Sequence, residues 1–155
     1  MPIHKEKKIL SYNAEQIFDL VIAVDRYPEF LPWCLSANII KEGNQNFDAD
    51  LVIGFKMLRE RFISHVTSRR PDWIEVIPIS GPFKRMKNSW RFNVQSEDTC
   101  MIDFYVDFEF RSLLLNKLMG ALYQEAVRRM VGAFEKRASE LYRTNNCCLE
   151  FKRLL

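Results

Sequence analysis

Thr99-Cys100-Met101-Ile102-Asp103-Phe104-Tyr105-Val106-Asp107-Phe108-Glu109-Phe110 alternates apolar and polar side chains almost without a break. Cys100, Ile102, Phe104, Val106, Phe108 and Phe110 fall on one side of an extended chain, and Asp103, Tyr105, Asp107 and Glu109 on the other. A period of two describes a strand with one greasy face and one wet face. Over 112–143 the period changes. Leu115, Leu118, Met119, Leu122, Ala126, Met130, Phe134, Ala138 and Leu141 return every three or four residues, as along one stripe of a long helix. A one-faced sheet that hands its chain to such a helix must bury the two apolar surfaces against each other. Whatever lies between them decides function.

Working outward, residues 3–10 read as a first strand whose lysines suit a sheet edge. Asn13, with Gln16 three residues on, has the spacing of a capping box. The helix it opens carries Ile17, Phe18, Leu20, Val21 and Val24 on one face, and Pro28 and Pro32 limit 25–31 to a short helical turn. Strands are expected near 35–42, 48–58, 60–68, 73–80, 86–95 and 99–110, with turn signals at 43–46, 69–72, 81–82 and 96–98. Connections this short join antiparallel neighbours and leave no room for crossover helices. The expected class is α+β: a bent antiparallel sheet of six to seven strands wrapped around a long C-terminal helix, with two short helices after strand 1. One domain is expected over 1–143, followed by a mobile tail at 144–155 where the helical stripe breaks.

Twelve Phe against five Gly favour aromatic packing, or an aromatic-lined cavity, over phosphate-cradling loops. A net charge of +3 is too small to argue for nucleic acid, and DNA is not an expected partner. No apolar run approaches the roughly 20 residues that span a bilayer. The charged first ten residues resemble neither a secretory signal nor a transit peptide, so the cytoplasm is the expected location. Cys34, Cys100, Cys147 and Cys148 lack C-x-x-C spacing, and reduced thiols are expected. His4 and His65 are the only side chains that titrate near neutral pH unperturbed, and both are expected on the surface. Asp103, Asp107 and Glu109 sit on the wet phase, a solvated face rather than a catalytic acid pair. No nucleophile turn, phosphate loop or cluster of metal ligands is present, so neither catalysis nor a required cofactor or metal is expected. Gly120 and Gly132 each cost the helix about 1 kcal/mol relative to Ala, which points to close packing or to room for a ligand.

Five segments carry a family resemblance: Tyr27-Pro28-Glu29-Phe30-Leu31-Pro32-Trp33-Cys34, Val52-Ile53-Gly54-Phe55-Lys56, Gly81-Pro82-Phe83-Lys84, Trp90-Arg91-Phe92 and Phe108-Glu109-Phe110-Arg111-Ser112. In this order, across 3–142, the chain resembles the START-like proteins typed by the mitochondrial coenzyme Q-binding protein and its bacterial relatives. That group includes the RatA ribosome association toxins and carries the older name polyketide cyclase/dehydrase. The resemblance implies a helix-grip fold with a hydrophobic tunnel, a ubiquinone or other polyisoprenoid ligand, and a chaperone-like role in respiration. It implies two alternatives as well: a toxin that binds a ribosomal subunit, and an aromatase/cyclase-type enzyme for which Glu60 and His65 are the available polar groups.

Phe55, Phe62, Trp90, Phe92, Phe104 and Phe108 lie on strands expected to face the helix, and the resemblance makes them a tunnel lining together with Trp33, Leu122 and Met130. Lys56, Glu60, Phe83 and Lys84 are the expected mouth, where a lysine would meet a quinone carbonyl or a lipid phosphate. Both phases of 48–58 are apolar, which leaves the directions of Phe55 and Lys56 open. The aromatic loop 27–33, with Arg59, Arg61, Arg69, Arg70, Lys84, Arg85 and Lys87 nearby, points to peripheral contact with a membrane surface, the inner membrane in a bacterium. The tail residues Leu149, Phe151, Lys152, Arg153, Leu154 and Leu155 would suit lipid or a partner only if ordered.

Overall fold

The computed structural model describes residues 3–55 and 58–143, so the expectations for Lys56, for Cys147 and Cys148 and for the tail lie outside the described residues. The chain runs β1 (Ile3–Leu10), α1 (Ala14–Ile22), a 3-10 helix (Val24–Glu29), β2 (Cys34–Gly43), β3 (Asn46–Phe55), β4 (Leu58–Arg69), β5 (Trp73–Ser80), β6 (Phe83–Ser96), β7 (Thr99–Phe110) and α2 (Leu113–Ala138), which ends in one π turn over Ser139–Arg143. Seven antiparallel strands form one sheet in the order β1-β7-β6-β5-β4-β3-β2. The first strand closes the sheet beside the last, Ile3 opposite Asp107 and Leu10 opposite Cys100. This is a helix-grip architecture.

The alternation in β7 sets the inner face: Cys100, Ile102, Phe104, Phe108 and Phe110 are buried. Asp107 and Glu109 instead hold Arg85 on the outer face. At the start of α1 the capping box closes as its spacing predicts, with Gln16 N–H donating to Asn13 Oδ1 at 2.8 Å and Asn13 N–H to Gln16 Oε1 at 3.1 Å. Ile17, Phe18, Leu20 and Val21 then seal one end of the grip, Phe18 meeting Phe92 edge-on at 5.7 Å.

Two expectations about direction are corrected. His4 faces inward with Glu6, Lys8 and Leu10, its ring 6.0 Å from Phe104 and 6.2 Å from Tyr123. Because β1 is an edge strand, its inward side chains lie at the margin of α2. There they stay half-exposed and can keep charge, as the Lys8–Glu135 ion pair does. The aromatic loop 27–33 is likewise not an exposed belt. The Tyr27 hydroxyl donates to Val21 O, and the Tyr27 and Phe30 rings pack edge-on against Phe134 at 5.5 and 5.3 Å.

β5 and β6 pair only from Trp73 opposite Arg91 to Val76 opposite Asn88. Beyond Val76 the two strands part until the turn at 81–82 rejoins them. Gly81 holds φ +134°, and a Cβ there would stand 2.5 Å from Phe62 Cβ. Gly132 has nothing within 4 Å of such an atom. Gly81→Ala is therefore expected to lower the unfolding free energy by about 1–3 kcal/mol. Gly132→Ala is expected to raise it by roughly 1 kcal/mol. Urea titrations of the two variants check both signs.

Candidate functional site

Between the sheet and α2 lies an open cavity of about 250 Å³. Its floor is the inner phase of the central strands: Ile53 on β3, Phe62 on β4, Phe83, Met86 and Asn88 on β6, and Phe104, Val106, Phe108 and Phe110 on β7. Trp33 closes one flank, and Met119, Tyr123, Ala126, Val127 and Met130 of α2 form the roof. Ring contacts fix the lining: Phe62 meets Phe83 edge-on at 5.3 Å, Phe83 stacks on Phe110 at 5.0 Å, and Phe108 meets the roof ring of Tyr123 at a tilt at 5.4 Å.

Of the expected lining, Trp33, Phe62, Phe104, Phe108 and Met130 come together around this space, and Phe83 joins them as lining rather than rim. Trp90 and Phe92 do not. They stack on each other and pack on Phe134 and Phe18, and Trp90 borders only a recess of about 40 Å³ on the far side of Phe104. Leu122 is half-buried beside the roof, because the face turned to the cavity runs through Met119, Tyr123, Val127 and Met130, one position further along. Glu60 keeps the inward phase but is half-buried outside the lining, and Lys84 is exposed. The side chain of Phe55 lies outside the described residues. Gly120 and Gly132 are exposed, with nothing within 4 Å of a Cβ placed on either, and neither borders this cavity.

Sequence reasoning missed Asn88 and Tyr123, the two polar side chains in the lining besides the Trp33 indole. Asn88 is engaged: its Nδ2 donates to Tyr105 O at 3.0 Å and its Oδ1 accepts from Trp90 Nε1 at 2.9 Å. The Tyr123 hydroxyl is buried and has no hydrogen-bond partner among the described residues. A signal for Tyr123 existed in the stripe, four residues after Met119; Asn88 had none.

His65 lies on the outer face against Asp48 at 2.7 Å. Burial pushes the Cys34 thiol up to about 11 and the Cys100 thiol up as well, which keeps both protonated near neutral pH. Among the described residues, no three His, Cys, Asp or Glu side chains stand close enough to hold a metal ion. No helix among them is long and apolar enough to cross a membrane.

The family model described as "Polyketide cyclase / dehydrase and lipid transport" matches residues 10–135. The chain is 41% identical over 138 residues to a ribosome association toxin RatA of Rickettsia prowazekii, covering 86% of this chain and 94% of that one. It is 34% identical over 143 residues to the mitochondrial coenzyme Q-binding protein COQ10 homolog B of Xenopus laevis, covering 90% of this chain but 59% of that protein. Among solved structures, the solution structure of the 18 kDa protein CC1736 from Caulobacter crescentus superposes with a TM-score of 0.74 at 34% identity, over 92% of this chain and 99% of that one. The Zhui aromatase/cyclase from Streptomyces sp. R1128 reaches 0.78 at 14% identity, over 89% and 93%, which establishes likeness of fold alone.

Burial raises the Tyr123 phenol to about 12, with the Asp107 charge adding to the shift. An exposed phenol titrates near pH 10. Because the folded value lies above the unfolded one, the contribution to stability is complete below pH ~10 and fades as pH climbs toward ~12. Tyr123→Phe is expected to lose less stability than the parent across that interval, as chemical denaturation at stepped alkaline pH measures.

Proposed function

The chain belongs to the polyketide cyclase/dehydrase and lipid transport family, and from that footing we propose that it is a non-enzymatic carrier of a polyisoprenoid quinone such as ubiquinone. On this reading it keeps the headgroup in the cavity and supplies it to respiratory electron transport. One observation carries the reading: an apolar, ring-lined cavity in which the unpartnered polar group is a single buried hydroxyl, that of Tyr123. A quinone ring is flat, offers aromatic side chains two faces, and bears carbonyl oxygens that only accept hydrogen bonds. A lone phenol O–H among phenylalanines complements those properties. The volume of about 250 Å³ suits a ring-sized headgroup, and a prenyl tail would lie toward the open end. The relative named as a coenzyme Q-binding protein supports the choice of ligand.

A second reading has its own support. The relative named RatA matches over nearly its whole length, and the outer sheet face gathers Lys5, Lys87, Ser89 and Arg91 around Tyr105 and Asp103, a group with three cations to one acid that suits ribosomal RNA phosphates. Sucrose-gradient profiles with added protein separate the two readings. A rise in free subunits at the expense of monosomes would favour the ribosome; an unchanged profile removes it.

For the quinone reading, titration with ubiquinone in detergent is expected to quench tryptophan fluorescence, because Trp33 borders the cavity, and to raise the melting temperature. Tyr123→Phe is expected to weaken binding by roughly 2–10-fold, the worth of one hydrogen bond. Ala126→Trp, which fills the space from the roof, is expected to abolish it. A parent protein that shows neither quenching nor a thermal shift ends this proposal.

A further inference from the structure

The described turns at one end of the sheet gather around the outer part of the cavity. Arg111 N–H donates to Pro82 O at 2.9 Å, which ties the start of α2 to the turn at 81–82, and Gly54 N–H donates to Trp33 O at 2.7 Å. Phe83 stands opposite Phe110 in the ladder, and both line the cavity. The opposite end is plugged by α1 and by Phe134 with Tyr27, Phe30 and Trp90.

At the open end α2 begins with three leucines. Leu115 turns inward onto Phe108, Phe110 and Met119. Leu113 and Leu114 point away, 86% and 67% exposed, and Leu113 is the most exposed large apolar side chain among the described residues. Nor are they on a fraying terminus. Ser112 Oγ accepts from Leu115 N–H at 3.2 Å, and the Asn116 side chain brackets Phe110, Nδ2 donating to its carbonyl at 2.9 Å and Oδ1 accepting from its N–H at 2.7 Å. The first helical turn is fixed while presenting two leucines to solvent.

Their surroundings are basic. Arg111 and Lys117 are exposed on either side of them in the chain, Lys117 one helical turn beyond both leucines, and Lys84 is exposed beside the turn at 81–82 to which Arg111 N–H is bonded. After Glu109, which is held by Arg85, the next acidic residue is Glu125. Around the turn at 81–82, residues 76–96 contain no acid at all. Three other arginines differ in this respect: Arg61 is paired to Asp50, Arg69 to Asp72 and Arg70 to Asp19.

We infer that Leu113 and Leu114, ringed by Lys84, Arg111 and Lys117, form a docking foot for an anionic lipid bilayer, one that sets the open end of the cavity against the membrane. Apolar side chains on a rigid turn enter the headgroup boundary, and the surrounding cations meet lipid phosphates. That pairing of short apolar insertion with charge attraction gives reversible attachment. The surface differs from the loop 27–33, whose Tyr27 and Phe30 rings pack on Phe134 and whose Trp33 flanks the cavity. Docking stands on this surface alone; the passage of a ligand between bilayer and cavity rests on the function proposed above.

Vesicle co-sedimentation of the full chain tests it, using phosphatidylcholine alone and phosphatidylcholine with phosphatidylglycerol. The parent is expected to bind the anionic vesicles, to prefer them over the neutral ones, and to come off as salt rises. Leu113→Glu with Leu114→Glu is expected to weaken binding at least about tenfold. Lys84→Glu with Arg111→Glu is expected to abolish the preference for anionic lipid. Val94→Glu, at an exposed position near the opposite end, is expected to change nothing. Unaltered melting temperatures certify the folds, and Leu113→Ser with Leu114→Ser replaces the glutamate pair if that variant is unstable.

A parent that stays in the supernatant overturns the inference. So does a leucine variant that sediments like the parent, or a dimer, seen by sedimentation velocity, that the leucine substitutions dissociate. Quinone titration of the same variants in detergent reports the cavity separately. A parent that binds vesicles but no quinone sinks the carrier reading and leaves the foot standing; quinone binding without vesicle binding does the reverse.

Discussion

Two fixings hold α2 across the sheet, and the cavity exists because they lie far apart on the helix. At the C-terminal end Phe134 sits among Tyr27, Phe30 and Trp90, Ala138 is fully buried, and the Tyr142 hydroxyl donates to Gln16 O at 2.9 Å. At the N-terminal end the Asn116 side chain grips both polar groups of the Phe110 backbone. Between them the roof carries Tyr123, Ala126, Val127 and Met130, and the floor rings lean on one another rather than rising to fill the gap. A helix pinned at both ends cannot sag onto the sheet without breaking one of the fixings. An open interior therefore coexists with an otherwise close-packed core.

The two faces of the sheet divide the work between them. Inside, polar groups are few: Asn88 is satisfied by Tyr105 and Trp90, whereas the buried hydroxyls of Ser64 and Tyr123 have no partner among the described residues. Outside, charges are matched across strands, Arg85 with Asp107 and Glu109 and Arg61 with Asp50, and the His65 ring meets Asp48. Such exposed pairs add little to stability, commonly under about 1 kcal/mol each. Their larger effect is to neutralise parts of the sheet face locally, while Lys84, Arg111 and Lys117 stand exposed at the end that carries Leu113 and Leu114.

Period and punctuation made most of the fold legible. The alternation in Thr99–Phe110 and the capping residues Asn13 and Gln16 act through local geometry alone, and both appear in place. Direction was harder to read wherever burial is decided by a distant element. His4 faces inward because α2 crosses the edge strand, and Tyr27 and Phe30 turn inward because Phe134, more than a hundred residues away, offers them a partner. The site was legible in kind and only partly in membership. Aromatic strand residues were placed on the inner face, yet which of them border space and which border each other depends on where α2 is pinned. On α2 the apolar stripe runs through Leu122, whereas Tyr123, one position on, borders the cavity. The rotation that brings the phenol inward is set by tertiary contacts.

Magnitudes bear on whether such an interior can stand closed and empty. A sealed apolar void costs about 24 cal/mol per Å³ of residual volume, so one of about 250 Å³ would cost on the order of 6 kcal/mol. Domains of this size are stable by only about 5–15 kcal/mol in total. A buried hydroxyl without a partner adds roughly 1–3 kcal/mol to that burden. Opening the cavity at one end relieves the first cost by admitting solvent, and an acceptor atom beside Tyr123 relieves the second. A ligand that is apolar over most of its surface and carries an accepting oxygen at one end satisfies both together. Water satisfies the hydroxyl but wets the rings. The same residues that make the interior costly when empty thus favour an occupant of that chemistry, and the open end lets it enter and leave without unfastening either end of α2.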